Sequence, residues 1–330
     1  MRVAINGFGR IGRQFFRIAW DDPEVDIVHV NDIADPETLA TLLELDSTYG
    51  RWSHEVRARE DGLEVQGRSV AVTAEKDPSK LPWHEREVDV VVESTGIFTT
   101  REKSRQHLDA GAKKVLITAP GKSELDGDFV IGVNEEHYDP HAHQIISIGS
   151  CTTNCLAPLV KVLHDQLGIE RGLMTTVHAY TNDQNLLDGP HKDLRRARSA
   201  ADNIVPTSTG AARAISKVLP DLQGKLDGMA LRVPVPCGSV VDLTCTVMKE
   251  TSAEAVNDMM RQAAEGRMKG VLAVADRPLV SRDIVGRTES SILAPQDTRV
   301  QGGVMVKVLS WYDNEWGFSN RLVDMVKRMS

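Results

Sequence analysis

The sequence predicts an α/β protein in two parts, a doubly wound and largely parallel sheet followed by an α+β half on a largely antiparallel sheet. Three observations lead there. Short apolar strands alternate with helical stretches up to Gly149, a glycine-rich turn joins the first strand to the first helix, and after Cys151 the segments turn longer and richer in β-formers. A length of 330 residues leaves room for two domains, here 1–150 and 151–314, with the final helix, 315–330, completing the first.

Arg2–Asn6 is an apolar strand, Gly7-Phe8-Gly9-Arg10-Ile11-Gly12 follows, and a helix runs through Arg13–Ala19. This is GxGxxG between a strand and a helix. Gly7, Gly9 and Gly12 permit a tight turn, close approach of a pyrophosphate and close helix packing, and the helix start offers amides to phosphate. Val25–Val30 is a second strand, and it ends at Asn31-Asp32, twenty residues after Gly12. A carboxylate there accepts from the ribose hydroxyls of NAD and repels the extra phosphate of NADP, so a Rossmann domain binding NAD is expected. Val88–Gly96, Lys114–Pro120, Asp128–Val133 and Gln144–Gly149 read as further strands of six or more, with a helix over Thr100–Ala112.

Leu156, Leu159, Val160 and Leu163 recur at the spacing of one helix face, so Ser150-Cys151-Thr152-Thr153-Asn154-Cys155 opens a helix. Amides and dipole at that end are expected to lower the thiol pKa of Cys151, making it a candidate nucleophile. The plain alternative is a small buried hydrophobe. Gly172–Thr181 is a strand carrying His178, an imidazole able to hold a thiolate and shuttle protons, or else a core histidine. Asn182–Pro206 is a long irregular stretch with the basic run Arg195-Arg196-Ala197-Arg198. Thr209-Gly210 opens another helix, and Arg232 adds a cation; with Arg196 these are the parts of an anion site. Strands at Ser239–Lys249 and Val304–Trp311, a helix over Ser252–Glu265 and a last helix over Phe318–Met329 complete the chain.

Composition narrows the function. Hydrophobic residues at 41% and charged residues at 26% are ordinary, and a net charge of −8 argues against nucleic acid or an anionic membrane as partner. No apolar run reaches membrane-spanning length, and Met1-Arg2 leads straight into a strand, so a cytoplasmic protein is expected. Cys151, Cys155, Cys237 and Cys245 form no disulfide framework, and neither they nor His137, His141 and His143 have the spacing of a metal site.

A dinucleotide and a cysteine together suggest a reaction. An aldehyde gives up hydride only after a nucleophile has added to it; a thiolate does so, leaving a thioester for a second nucleophile. The blocks INGFGRIGR (Ile5–Arg13), ESTGIF (Glu93–Phe98), SCTTNCLAP (Ser150–Pro158), PHKDLRRAR (Pro190–Arg198), PTSTGAA (Pro206–Ala212) and WYDNEWG (Trp311–Gly317) resemble, in order, the phosphorylating glyceraldehyde-3-phosphate dehydrogenases over essentially the whole chain. The resemblance implies oxidation of glyceraldehyde 3-phosphate with NAD and inorganic phosphate, in a cytoplasmic homotetramer. It implies Cys151 as nucleophile and His178 as base; Arg10, Ile11, Asp32, Lys76, Thr118 and Asn314 at the cofactor; and Ser150, Thr152, Thr181, Arg196, Thr209, Gly210 and Arg232 around substrate and phosphate.

There are departures. Lys76 stands where the family often has arginine, and Gly189 where NAD-specific bacterial members usually have leucine, so NAD with weaker use of NADP is expected. Ile148-Gly149 and Cys237-Gly238 replace commoner pairs without a functional account. Rival readings are an erythrose-4-phosphate dehydrogenase, which hydrolyses its thioester, and a nucleotide-binding interaction protein. Thr181 and the PTSTG block favour phosphorolysis over the first; Cys151 with His178 argues against the second. A cysteine hydrolase leaves the dinucleotide fingerprint without purpose.

Overall fold

The computed structural model describes residues 1–329, which form two compact units. The first takes in residues 1–129, 136–149 and the chain from Ser319 on; the second takes in 130–135 and 150–318.

The first unit carries β1 (Arg2–Asn6), α1 (Arg10–Ala19), β2 (Asp26–Asn31), α2 (Pro36–Glu44) and a short ribbon of β3 (Leu45–Asp46) and β4 (Gly50–Arg51). It continues with β5 (Val56–Arg59), β6 (Gly62–Val65), β7 (Arg68–Thr73), β8 (Val90–Glu93), α3 (Arg101–Asp109), β9 (Lys114–Ile117), β10 (Gly127–Asp128) and β11 (Ile145–Ser147). Nine strands form one sheet in the order β10-β11-β9-β8-β1-β2-β7-β6-β5. It is parallel from β10 to β7, and β5, β6 and β7 close it as an antiparallel meander. The central strands are buried on both faces, which is why they read as unbroken apolar runs. The chain leaves β1 for β2 on one side and returns to β8 on the other, so a crevice opens at the carboxyl ends of these strands.

The strand expected over Asp128–Val133 is cut short. Only Gly127–Asp128 pair with β11; Gly132, at φ +84°, turns the backbone, and Val130 and Val133 bury in the core of the second unit.

That unit carries α4 (Cys151–Leu167), β12 (Ile169–Ala179), β13 (Val205–Ser208), α5 (Ala211–Val218), β14 (Leu226–Val233) and β15 (Ser239–Val247). It goes on through α6 (Ala253–Glu265), β16 (Leu272–Val274), β17 (Ser291–Leu293), β18 (Arg299–Gln301) and β19 (Met305–Tyr312); α7 (Trp316–Arg328) follows and belongs to the first unit from Ser319 on. The sheet runs β13-β14-β12-β15-β19-β17-β16, with β18 on β19. Its pairings are antiparallel except β12 with β14 and β16 with β17. Leu156, Leu159, Val160 and Leu163 of α4 pack into one core with Val241 and Leu243 of β15 and Val306 and Val308 of β19. Such a face, once buried, keeps the N-terminus of α4 fixed over the sheet.

Candidate active site

In the second unit, α4 begins at Cys151 with Ser150 as its cap. The Ser150 hydroxyl accepts from Thr153 N at 3.1 Å, and Ser150 O accepts from Asn154 N at 2.9 Å. Met174, Thr176 and His178 alternate along β12 and bury the same face. This brings His178 Nε2 to 3.5 Å from Cys151 Sγ. His178 Nδ1 lies 2.7 Å from the Ala179 carbonyl.

Arg232 comes from the neighbouring strand: β14 runs parallel to β12 with Arg232 opposite His178. Its Nη1 stands 2.6 Å from His178 Nδ1 and donates to Ala179 O at 3.4 Å, so ring and guanidinium share one carbonyl. The carbonyl beside Nδ1 calls for a ring proton there, which turns the Nε2 lone pair to the sulfur, whereas the guanidinium, a donor only, calls for a lone pair at the same atom, so the two compete for Nδ1.

The lowered thiol pKa expected of Cys151 is not found. Burial pushes it up, and this outweighs the Arg232 charge and the bonds at Thr152, which act the other way. Burial, reinforced by Arg232, holds His178 down to about 3. Both shifts favour the uncharged forms, a thiol beside a neutral imidazole.

The remaining substrate-side residues are distributed as follows. Thr152 is buried and bonds Tyr312. Thr181 N donates to Gln184 Oε1 at 3.4 Å. Arg196 is ion-paired with Asp183, and its charge is felt at Arg232. Thr209 Oγ1 accepts from Ala211 N at 3.2 Å, and Gly210 caps α5. Along β13 and β14, Val205 pairs with Arg232 and Ser208 with Met229, so Thr209 and Gly210 follow from the far end of that pairing. Asn314 Oδ1 accepts from Gly238 N at 3.2 Å and Ser239 Oγ at 3.0 Å, and Cys237 Sγ lies 3.2 Å from Asp313 Oδ1.

The first unit has a cavity of about 560 Å³ at the carboxyl ends of β1, β2 and β8. Gly7, Gly9, Asp32, Lys76, Ser94 and Thr95 are among its walls. Gly7 sits at φ +93°, where an added Cβ would lie 2.6 Å from Thr95 N; a Cβ on Gly12 would lie 2.3 Å from Gly7 O. At Gly9 it would meet no atom within 4 Å, so that glycine leaves the approach to the helix start open. The Asp32 carboxylate is anchored by Phe8 N at 2.6 Å and Ala34 N at 3.0 Å. These features fit a dinucleotide. Arg10 and Ile11 begin α1, but the Arg10 guanidinium engages Asp46. Thr118 follows β9, its amide donating to Glu93 O at 3.0 Å.

Sequence reasoning passed over Asn6, Asn31, Glu75 and Ile97, which also line this cavity. A signal was present: Asn6 and Asn31 are polar residues closing two adjacent apolar strands.

Comparison with known families agrees with the geometry. The model of the glyceraldehyde 3-phosphate dehydrogenase C-terminal domain matches residues 150–314, and that of the NAD binding domain matches residues 1–101. Among similar proteins, glyceraldehyde-3-phosphate dehydrogenase of Geobacillus stearothermophilus is 58% identical over 325 residues, 98% of this chain and 97% of the relative. Glyceraldehyde-3-phosphate dehydrogenase 1 of Bacillus subtilis (strain 168) is 55% identical over the same shares. Glyceraldehyde-3-phosphate dehydrogenase 2 of Streptomyces arenae is 57% identical over 326 residues, again 98% of this chain and 97% of the relative. With both domain models matched and such identity over nearly the full length, the chain belongs to the glyceraldehyde-3-phosphate dehydrogenase family.

Proposed function

We infer that the chain oxidises D-glyceraldehyde 3-phosphate to 1,3-bisphosphoglycerate with NAD and inorganic phosphate, the step that family members perform in glycolysis. The observation that carries the chemistry is Cys151 Sγ at 3.5 Å from His178 Nε2, at the start of α4. His178 takes the thiol proton as sulfur adds to the aldehyde carbon and hands it to the former carbonyl oxygen, giving a thiohemiacetal on Cys151 and a neutral imidazole again. It then accepts the hydroxyl proton as the carbon is oxidised and a thioester remains. Bound NAD supplies the hydride acceptor. Phosphate attacks the thioester carbonyl, the acyl–sulfur bond breaks, and the acyl phosphate leaves Cys151 free. Amides at the head of α4 favour the oxyanion in both additions.

Arg196, Arg232, Ser150, Thr152, Thr181, Thr209 and Gly210 are assigned to the substrate phosphate and the attacking phosphate. The Arg196 charge felt at Arg232 supports two cations near one anionic region. Gly7, Gly9, Arg10, Ile11, Gly12, Asp32, Lys76, Thr118 and Asn314 are assigned to NAD, the first unit binding the cofactor and the second the substrate. Asp32 favours NAD, with weaker use of NADP where Gly189 is small.

Leu173, Met229 and Met305 are exposed on the sheet of the second unit, and Leu186, Leu187 and Leu194 on its long loop, which supports a homotetramer. Among the described residues no helix is long and apolar enough to cross a membrane, and the net charge is −8. We place the protein in the cytoplasm, without nucleic acid or membrane as partner.

The test is the initial rate of NADH formation from glyceraldehyde 3-phosphate and NAD, with and without inorganic phosphate. Strong phosphate dependence, abolished in Cys151→Ser, is expected. A rate indifferent to phosphate would move the reaction to the hydrolysing erythrose-4-phosphate type, and no rate at all would leave a nucleotide-binding protein.

A further inference from the structure

Tyr312 is the last residue of β19, is buried, and takes no part in the chemistry above. Its hydroxyl bonds two others at 2.8 Å, Thr152 Oγ1 and Thr176 Oγ1. Thr152 follows Cys151 in the first turn of α4; Thr176 precedes His178 by two residues on the same face of β12. β19 and β12 are not neighbours, because β15 lies between them. Two strand spacings amount to about 10 Å, so only a long side chain with a polar tip can join the two hydroxyls from there. Thr176 Oγ1 also donates to Val240 O on β15 at 3.3 Å, tying all three strands together. The Tyr312 ring stands edge-on to the imidazole, centroids 5.9 Å apart and planes at 75°.

We propose that Tyr312 is a positioning residue, its hydroxyl clamping Thr152 to Thr176 and thereby fixing Cys151 Sγ against His178 Nε2. The proposal rests on the assignment of Cys151 and His178 as nucleophile and base. Without the clamp, the first turn of α4 keeps only the Cys151–His178 contact itself and apolar packing against β12, and packing resists sliding less than a directional bond. Thr152, Tyr312 and Thr176 line no part of the cofactor cavity, so loss of the clamp should slow chemistry and leave cofactor affinity alone. A displacement of about 1 Å between reacting groups is enough for a rate loss of up to ~10²-fold.

The test compares Tyr312→Phe, Thr176→Val, Thr176→Ser and the double variant Y312F/T176V in the full chain. Two rates are read: alkylation of Cys151 by iodoacetamide, and turnover with glyceraldehyde 3-phosphate, NAD and phosphate. Alkylation reports on Cys151 because Cys155, Cys237 and Cys245 are buried. Y312F and T176V should each slow both rates by roughly tenfold or more, with KM for NAD unchanged. T176S, which keeps the hydroxyl, should behave as wild type, and the double variant should be no slower than the worse single one. T176V is isosteric and keeps the test alive should Y312F fold poorly.

Unchanged alkylation in both single variants overturns the clamp, as do additive losses in the double variant or a T176S as slow as T176V. Alkylation needs neither substrate nor cofactor. A wild-type enzyme inactive on glyceraldehyde 3-phosphate would thus refute the assigned reaction while the clamp is still judged on alkylation.

Discussion

Glu93→Gln tests whether the wall of the cofactor crevice is set by hydrogen-bond polarity. The side chain keeps its shape, but one acceptor oxygen becomes a donor. Glu93 is buried and fully engaged: Oε1 accepts from Thr95 N at 2.9 Å and from Thr95 Oγ1, and Oε2 from Asn6 Nδ2 at 2.6 Å and His107 Nε2 at 3.0 Å. These donors are held in place. Asn6 Oδ1 accepts from Asn31 Nδ2 at 2.7 Å, and Asn31 Oδ1 accepts from Glu75 N at 2.9 Å. The Trp83 indole, a donor only, points at His107 Nδ1 from 3.0 Å and so leaves the ring proton on Nε2. A glutamine therefore meets a donor with its amide whichever way it turns. Two hydrogen bonds to a charged acceptor are lost, each worth ~1.5–3 kcal/mol, so the expected destabilisation is roughly 3–6 kcal/mol. On a unit of this size that lowers the thermal midpoint by on the order of 10 °C. Because Thr95 and Glu75 line the crevice, KM for NAD should rise about tenfold, equivalent to ~1.4 kcal/mol. Turnover, proposed above to rest on Cys151 and His178, should stay within about twofold. Thermal denaturation with and without NAD, beside steady-state kinetics, measures all three. A variant with wild-type midpoint and wild-type KM refutes the reasoning, and so does one that loses turnover while keeping NAD affinity.

Asp32→Ala removes the carboxylate that Phe8 N and Ala34 N hold at the end of β2, and should cut kcat/KM for NAD about tenfold while raising the NADP-to-NAD ratio. A wild-type enzyme that uses NADP more efficiently than NAD would contradict the role given to Asp32. His178→Asn removes the base and should lower turnover by roughly 10²–10⁴-fold and slow alkylation of Cys151, whereas equal alkylation rates would mean that the thiol does not depend on the imidazole. His29→Gln should reduce acid lability. Burial holds His29 at about 4, below the ordinary 6.5, so the unfolded chain takes up the proton first; this stability is complete above pH 6.5 and lost as pH falls towards 4. About two and a half pH units at ~1.4 kcal/mol each give roughly 3 kcal/mol, to be read as the difference in urea unfolding between wild type and variant across that window.

What the sequence disclosed was local. The glycine turn between β1 and α1, Asp32 closing the next strand and the apolar face that follows Cys151 lie within single elements, and each was where its spacing indicated. Residues joined by pairing of distant strands were harder to see. Arg232 stands beside His178 because β14 enters the sheet parallel to β12, 54 residues on. Tyr312 reaches Thr152 across 160 residues of chain and Thr176 across 136. Neither relation leaves a trace in periodicity. The meander β5–β6–β7 escaped for another reason: its strands are short, and β5 and β7 are largely exposed or half-buried, so their apolar alternation is weak. The segment after Asp128 misled in the opposite sense, since Val130 and Val133 are apolar for the sake of another core.

Cys151 shows why position on a helix does not settle reactivity. A helix start is worth ~0.3–1 kcal/mol to a nearby anion, and about 2 kcal/mol in a sheltered geometry. At ~1.4 kcal/mol per pKa unit, that lowers a thiol by about one unit. Withdrawal of a charge from water moves a pKa by up to ~3–5 units in the other direction. Cys151 packs against the core of the second unit, so the larger effect prevails and the thiol stays protonated. The same shelter keeps His178 neutral. Charge is then separated only when the proton crosses from Sγ to Nε2, a 3.5 Å path whose two ends belong to different elements. Arg232 favours the sulfur side of that transfer and opposes the imidazolium side, so it biases the pair without fixing its state. On the proposed mechanism, nucleophilicity therefore depends on the distance between α4 and β12 as well as on charge, which is the distance the Tyr312 clamp is proposed to hold.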